Sequence, residues 1–225
     1  VVGDLDLSEL KLPRDKHASM IIPGRIKITS SEVPGNFSLA GSRFMDQVSF
    51  KGTAFGAEAD FWDAKFCKEA SFWECQFSGD ANFWGASFEA SANFTEARFL
   101  GDLDMLCTRF GRQAEFWKAR VQGHADFSDC EFYGPAIFWK AGFCSQANFR
   151  KARFVDEANF SEAEFFDAEF LMARFDSEAS FKEARFSGDA DFRKAEFSGE
   201  TGLSKAIFDG RLNLMRASIP KSGLR

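Results

Sequence analysis

The sequence predicts an all-β chain wound into a solenoid, and three observations carry that reading. Between Ala59 and Glu157 the chain runs as nine consecutive eleven-residue units without insertion or deletion. Each unit splits into two near-pentapeptides, A-x-F-x-x and A-x-F-x-x-x, so a small and a large apolar residue sit two apart. The composition follows: 30 Phe against 5 Trp and 1 Tyr, a bias that a repeated large core position explains and an ordinary globular core does not need.

A helix is excluded by the spacing. Phe recurs at steps of five and six, and five residues on a helix turn about 500°, about 140° from the start, so successive rings would scatter around it. Gly near many unit ends (Gly79, Gly101, Gly123, Gly134, Gly188, Gly199, Gly210) would also cost a helix stability. In extended chain, residues two apart share a face. Each half-unit therefore reads as a short strand with Ala and Phe inward, followed by a corner. Successive coils then pair at about 4.8 Å, with Phe over Phe and Ala leaving room for the opposite ring. Burying each ring is worth roughly 1.5–3 kcal/mol, enough to hold so short a strand.

Taken in order, Val1–Pro13 alternates Leu5, Leu7, Leu10 and Leu12, and residues 1–19 are read as either a first aliphatic coil or a cap. Arg14–Ser19 breaks the pattern. The register returns at Met20, where Ile22-Pro23-Gly24 and Val33-Pro34-Gly35 share one shape at a distance of one unit. Ile28, Val33, Leu39, Phe44, Phe50 and Phe55 then advance by 5, 6, 5, 6, 5. Ala158–Glu178 holds four near-pentapeptides but falls one position short of two full units. The missing position belongs to a corner, and Phe166 is expected to point outward. Beyond it the large position drifts to Leu203, Phe208, Leu214 and Ile219, as terminal repeats do. The solenoid is assigned to residues 20–221 and a short tail to 222–225.

The motif Ala-Asn-Phe at 81–83, 92–94, 147–149 and 158–160, with Ala-Asp-Phe at 59–61, 125–127 and 190–192, resembles the pentapeptide-repeat proteins, whose signature is A-(D/N)-(L/F)-x-x. The resemblance covers roughly Met20–Lys221. It implies a right-handed, quadrilateral parallel β-helix. The extra residue in every second pentapeptide departs from the family pattern, and each coil is expected to take two eleven-residue units. One unit per coil is the alternative, but so narrow a tube has little room for two Phe rings per layer.

Formal net charge is −6, from 34 acidic and 28 basic residues. That argues against a nucleic-acid binder, which would be basic. No apolar run approaches the ~20 residues of a membrane-spanning helix, and no signal-peptide pattern is present. The first residue is Val1 rather than Met, so a lost leader, or a parent membrane or effector protein of which this is one domain, stays open. Cys67, Cys75, Cys107, Cys130 and Cys144 fit no metal clip. Cys75 and Cys130 occupy unit Ala positions and read as small core residues; free thiols suit a reducing, cytoplasmic compartment.

No catalytic constellation emerges, so no catalytic residue, cofactor or metal is assigned. His17 and His124 are the only histidines, one in a linker and one in an outward corner position. The acidic residues recur as columns, which leaves no distinguished acid–base pair. The sixth corner residue is often acidic (Glu69, Asp80, Asp102, Glu157, Glu178, Asp189, Glu200). The residue before the second Phe is often basic (Lys65, Arg98, Arg109, Arg120, Arg153, Arg174, Arg185). These columns read first as solvated, mutually neutralising ladders and second as an electrostatic face for a partner. Asn or Asp before the first Phe reads as turn chemistry, its side chain bonding the corner backbone.

The candidate binding surface is aromatic. All five tryptophans, Trp62, Trp73, Trp84, Trp117 and Trp139, directly follow the first Phe of a unit. With two units per coil, Trp62 and Trp84 stack with Leu106 on one side, and Trp73, Trp117 and Trp139 lie on the other. Packing over the corner backbone is the structural reading of these indoles; a ladder for a protein, a sugar or a second copy is the functional one. The functional expectation is a non-catalytic scaffold for an unidentified protein partner, with a homo-oligomer as the further partner class. The resemblance implies an alternative, a DNA mimic that protects or inhibits a type II topoisomerase. That role needs a long negative face and usually a C-terminal dimer, for which LNLMRASIPKSGLR is a poor helix. A polysaccharide-active β-helix enzyme is the third reading, and it would need long inserted loops.

Overall fold

The computed structural model describes residues 20–220; the expected N-terminal cap or coil, His17 and the tail lie outside the described residues. Within them the chain forms 36 two-residue strands that pair, always in parallel, into four sheets of nine strands each. Strands join the same sheet at every fourth step along the chain, so each coil visits all four sheets once. The sheets are called faces 1 to 4 in chain order, beginning with Ile21–Ile22, Ile26–Lys27, Glu32–Val33 and Phe37–Ser38. Strand partners are separated by two whole units, as in Ala70↔Ala92 and Phe77↔Phe99. Two eleven-residue units therefore make one coil, and positions one unit apart occupy opposite faces.

The inward positions are those expected. Ala59, Phe61, Ala64 and Phe66 are fully buried, and the pattern repeats to Phe197. The rings stack coil on coil: Phe66 on Phe88 at 4.6 Å, Phe72 on Phe94 at 4.9 Å and Phe127 on Phe149 at 4.8 Å, each pair within 3° of parallel. Rings from different faces of the tube meet edge to face, as Phe138 and Phe149 do at 5.4 Å. Both are favoured aromatic arrangements. Cys75 and Cys130 are buried at Ala positions, and their thiols donate to the carbonyls of Phe50 and Met105, each at 2.9 Å. Burial pushes the Cys75 thiol up to about 12.

The two corner types differ. After the first Phe comes a tight turn closed by a backbone bond, as from Ala64 N–H to the Phe61 carbonyl at 3.0 Å. Its third residue lies in the left-handed region, with Asp63 at φ 52° and Lys118 at φ 53°, the conformation a type II turn demands. Among the described residues glycine supplies it without strain at Gly41, Gly52 and Gly85. Elsewhere an L-residue accepts roughly 1 kcal/mol of strain, offset by the ladder bond its own N–H makes, such as Asp63 N–H to the Trp84 carbonyl at 2.8 Å. The second corner, after the second Phe, is glycine-rich for another reason. A Cβ on Gly79 would lie 2.7 Å from the Ala57 carbonyl carbon of the preceding coil, closer than any side chain permits.

The shortened coil falls where the sequence places it. Pairing across it loses one position between Phe143↔Phe165 and Ala147↔Ala168. The missing residue comes from the second corner, and Phe166 is 52% exposed. At the C-terminal end Leu212 and Leu214 are exposed, while Leu203 and Phe208 are only half-buried.

Candidate surface on the solenoid corners

Corner chemistry fixes one of the two aromatic columns. In half of the described first corners an Asp or Asn stands before the large inward residue and accepts the N–H two residues on. Asp60 Oδ1 holds Trp62 N–H at 3.0 Å and Asn82 Oδ1 holds Trp84 N–H at 3.0 Å. The same bond recurs from Thr95 N–H to Asn93 and from Ser161 N–H to Asn159. The turn is thus locked and the next side chain aimed outward.

Trp62 and Trp84 occupy the corner between faces 4 and 1. Their ring centroids are 6.3 Å apart with planes tilted by 48°. They are 47% and 45% exposed. Trp73, Trp117 and Trp139 occupy the corner between faces 2 and 3, with Trp117 stacked on Trp139 at 5.9 Å. The structure thus divides the tryptophans as a coil of two units requires. The two groups have different surroundings. Lys51 Nζ sits 3.4 Å from the Trp73 ring centroid, Lys118 Nζ 4.4 Å from that of Trp117, and Lys140 Nζ 4.9 Å from that of Trp139. Trp139 Nε1 also donates to Glu162 at 3.0 Å, which holds that carboxyl below its usual value, with Lys140 adding to it. Trp117 is half-buried and its Nε1 is enclosed without a partner. None of the lysine–indole contacts among the described residues involves Trp62 or Trp84.

The charged columns separate by face, which an eleven-residue register conceals. Lys65, Arg109, Arg153 and Arg174 lie on face 1, and Arg98, Arg120 and Arg185 on face 3. All but Arg98 neutralise acids of their own faces and adjoining corners, as in Lys65–Glu89 at 2.8 Å, Arg109–Glu131 at 2.8 Å and Arg185–Asp209 at 2.8 Å. The sixth-position aspartates are not their partners. Asp80 Oδ1 accepts Asp102 N–H at 2.9 Å, Asp102 Oδ1 accepts His124 N–H at 2.7 Å, and Asp189 Oδ1 accepts Arg211 N–H at 2.9 Å. These carboxylates stitch coil to coil beside face 4.

Face 4 itself carries Asp60, Asn82, Asp104, Asp126, Asn148, Glu169 and Asp191 in its outward column. Of the ion pairs among the described residues, only Arg193–Asp191 engages that column. A shallow groove of about 370 Å³ follows it, lined by Glu58, Asp80, Asp102, Asp104, His124 and Asp126. Burial, with Asp126 adding to it, raises the Asp104 carboxyl above its usual value. A second groove of about 750 Å³ runs along face 3. There Arg120 crosses Gly142 to reach Glu164, two coils on, at 2.6 Å. Among the described residues no cluster of His, Cys, Asp and Glu is arranged to hold a metal ion, and no helix is long and apolar enough to cross a membrane.

The family model described as pentapeptide repeats (9 copies) matches residues 39–87, 83–131 and 172–218, more than half of the chain. The chain belongs to the pentapeptide-repeat family. Among solved structures it is similar to HetL, a pentapeptide repeat protein involved in heterocyst differentiation regulation from the cyanobacterium Nostoc sp. strain PCC 7120. That alignment has 16% identity, covers 84% of this chain and 85% of that one, and gives a TM-score of 0.29. No curated protein sequence matches the chain. As a pentapeptide-repeat protein it is a repeat scaffold, and its surface rather than an enclosed cavity offers the distinguishing chemistry.

Proposed function

We propose that this pentapeptide-repeat protein is a non-catalytic scaffold that binds another protein along its side. The observation that carries the reading is the pair of outward tryptophan columns, set on tight hydrogen-bonded turns of the tube and mostly more than a third exposed. Aromatic side chains held in fixed rotation lose little entropy on binding and dominate protein interfaces. The corners are short turns, so a partner would meet a wall and not enter a cleft. A sugar ligand is disfavoured at the corner of faces 2 and 3, where lysine ammonium groups already occupy the indoles. The five free thiols suit a reducing, cytoplasmic setting.

The test compares the native chain with the Trp62→Ser, Trp73→Ser, Trp84→Ser, Trp139→Ser variant, which leaves half-buried Trp117 intact. Cross-linked partners are identified by mass spectrometry and rebound as purified proteins. Partners lost only from the variant support the reading; partners retained by both, or none with either, refute it. One observation favours a second reading, the DNA mimic acting on a type II topoisomerase: the largely unpaired acidic column of face 4. Dose-dependent inhibition of supercoiling by the native chain, lost on neutralising Asp104 and Asp126, would support it.

A further inference from the structure

The corner of faces 2 and 3 shows what the outward indoles of this tube accept. At each of its three tryptophans a lysine ammonium lies over the ring, supplied by the chain itself. Two routes deliver it. Lys118 and Lys140 directly follow Trp117 and Trp139 in the left-handed turn position, and Lys51 stands one coil before Trp73.

The corner of faces 4 and 1 has the same turn and lacks both routes. Asp63 follows Trp62, Gly85 follows Trp84, and Ala40 stands one coil before Trp62. Lys65, the nearest cation on face 1 in that coil, is drawn to Glu89 at 2.8 Å. So this indole pair is the more exposed one and carries no cation. It also borders the face whose carboxylates are least neutralised, with Glu58, Asp60, Asp104 and Asp126 in no ion pair among the described residues. A negative field beside bare aromatic faces concentrates cations and then seats them.

We infer that the Trp62–Trp84 ledge, with the acidic groove of face 4 beside it, is the docking site for an extended lysine- or arginine-rich segment of a partner protein. The partner's cations take the place that Lys118 and Lys140 fill on the opposite corner, and its remaining charges lie along the groove. The inference rests on the scaffold reading above and names the chemistry of the partner.

The test uses fluorescein-labelled octalysine and fluorescence anisotropy on the full chain, at low and at physiological ionic strength. The decisive variant is Gly85→Lys, which gives the ledge a cation of its own and keeps both tryptophans. Gly85 has φ +68° and its added Cβ would meet nothing nearer than Asp63 Oδ1 at 3.9 Å, so the turn accepts lysine as it does at Lys118. Gly85→Lys and Trp62→Leu/Trp84→Leu are each expected to weaken octalysine binding by about tenfold or more. Trp73→Leu/Trp139→Leu is expected to stay within about twofold of the native chain. Should the leucine pair at the ledge lower the thermal midpoint, Gly85→Lys alone decides. No binding by the native chain, equal binding by Gly85→Lys, or equal losses in both leucine pairs would overturn the inference. In those cases a captured protein that still needs Trp73 and Trp139 would leave the scaffold reading standing.

Discussion

Replacing Phe149 with alanine tests the core most directly. Phe149 is fully buried. Its ring lies between Phe127 at 4.8 Å and Phe170 at 4.9 Å, with Phe138 and Phe160 edge-on at 5.4 Å on the coils around it. Truncation removes both stacks and leaves a ring-sized void. The walls cannot close on it, because each neighbour is pinned by its own ladder bonds, such as Phe127 N–H to Asn148 O at 2.7 Å. Buried Phe→Ala changes cost about 3–5 kcal/mol, most where the site cannot collapse. The expected loss is therefore about 4–5 kcal/mol, at the upper end of that range. Urea unfolding followed by far-ultraviolet circular dichroism would show a midpoint lowered by roughly 1.5–2 M at a slope of about 2–3 kcal/mol/M. All five tryptophans precede Phe149 in the chain, so their fluorescence reports the N-terminal coils. In a tube held by nearest-neighbour contacts, the two probes should separate in the variant and coincide in the native chain. Phe166→Ala, at an exposed ring, is the control and should stay within about 0.5 kcal/mol. An unchanged midpoint for Phe149→Ala, or an equal loss for Phe166→Ala, would refute the inward assignment.

Other expectations follow from single contacts. Gly134→Ala places a Cβ 2.7 Å from the Arg112 carbonyl carbon of the preceding coil and should cost about 1–3 kcal/mol by thermal or urea unfolding. Gly24→Ala, with open space around it, should be neutral or slightly stabilising. In a native alkylation time course Cys144 and Cys107 should label while Cys75 and Cys130 label only on unfolding, since the first two are exposed and the others buried. Because burial raises the Cys75 thiol to about 12, the native state holds its proton longer than the unfolded chain. Its stabilising share is complete below the unfolded thiol value near pH 8.5–9 and falls away as pH rises towards 12. Cys75→Ala should therefore lose less stability than the native chain between about pH 9 and 11; parallel pH profiles would contradict this.

The sequence carried the tube and the two units that make its coil, and not the sorting of charges around it. Ala-x-Phe repeats at steps of five and six determine which side chains point inward, and a missing residue after Phe166 is legible because the register resumes beyond it. Phe37 shows the local limit: it takes an Ala position and Leu39 the adjoining large one, yet both are buried, since the interior needs a total volume more than a fixed order. The surface was harder to read. At eleven-residue spacing Asp80 and Glu69 look like one acidic column, and Arg98 and Arg109 like one basic column, although each pair lies on opposite sides of the coil. Arg109 pairs with Glu131, one coil ahead on the same face, a neighbour that the linear pattern does not reveal. The bare and occupied indoles were likewise indistinguishable until Lys51, Asp63 and Gly85 had places around the ring.

Two units per turn make the interior and the exterior answer to different arithmetic. Any whole number of eleven-residue units can be gained or lost without disturbing the stack of rings, because both halves of a coil present the same Ala and Phe. The outside has only half that freedom. An even number of units lengthens the tube and leaves each stripe continuous; an odd number rotates everything downstream by half a turn. A single inserted unit after Glu157 would join the acidic stripe of face 4 to the neutral stripe of face 2, in a molecule with an equally sound core. Such a chain would fold and lose the continuity of its wall, so the phase of the units is a property of recognition that stability alone cannot maintain.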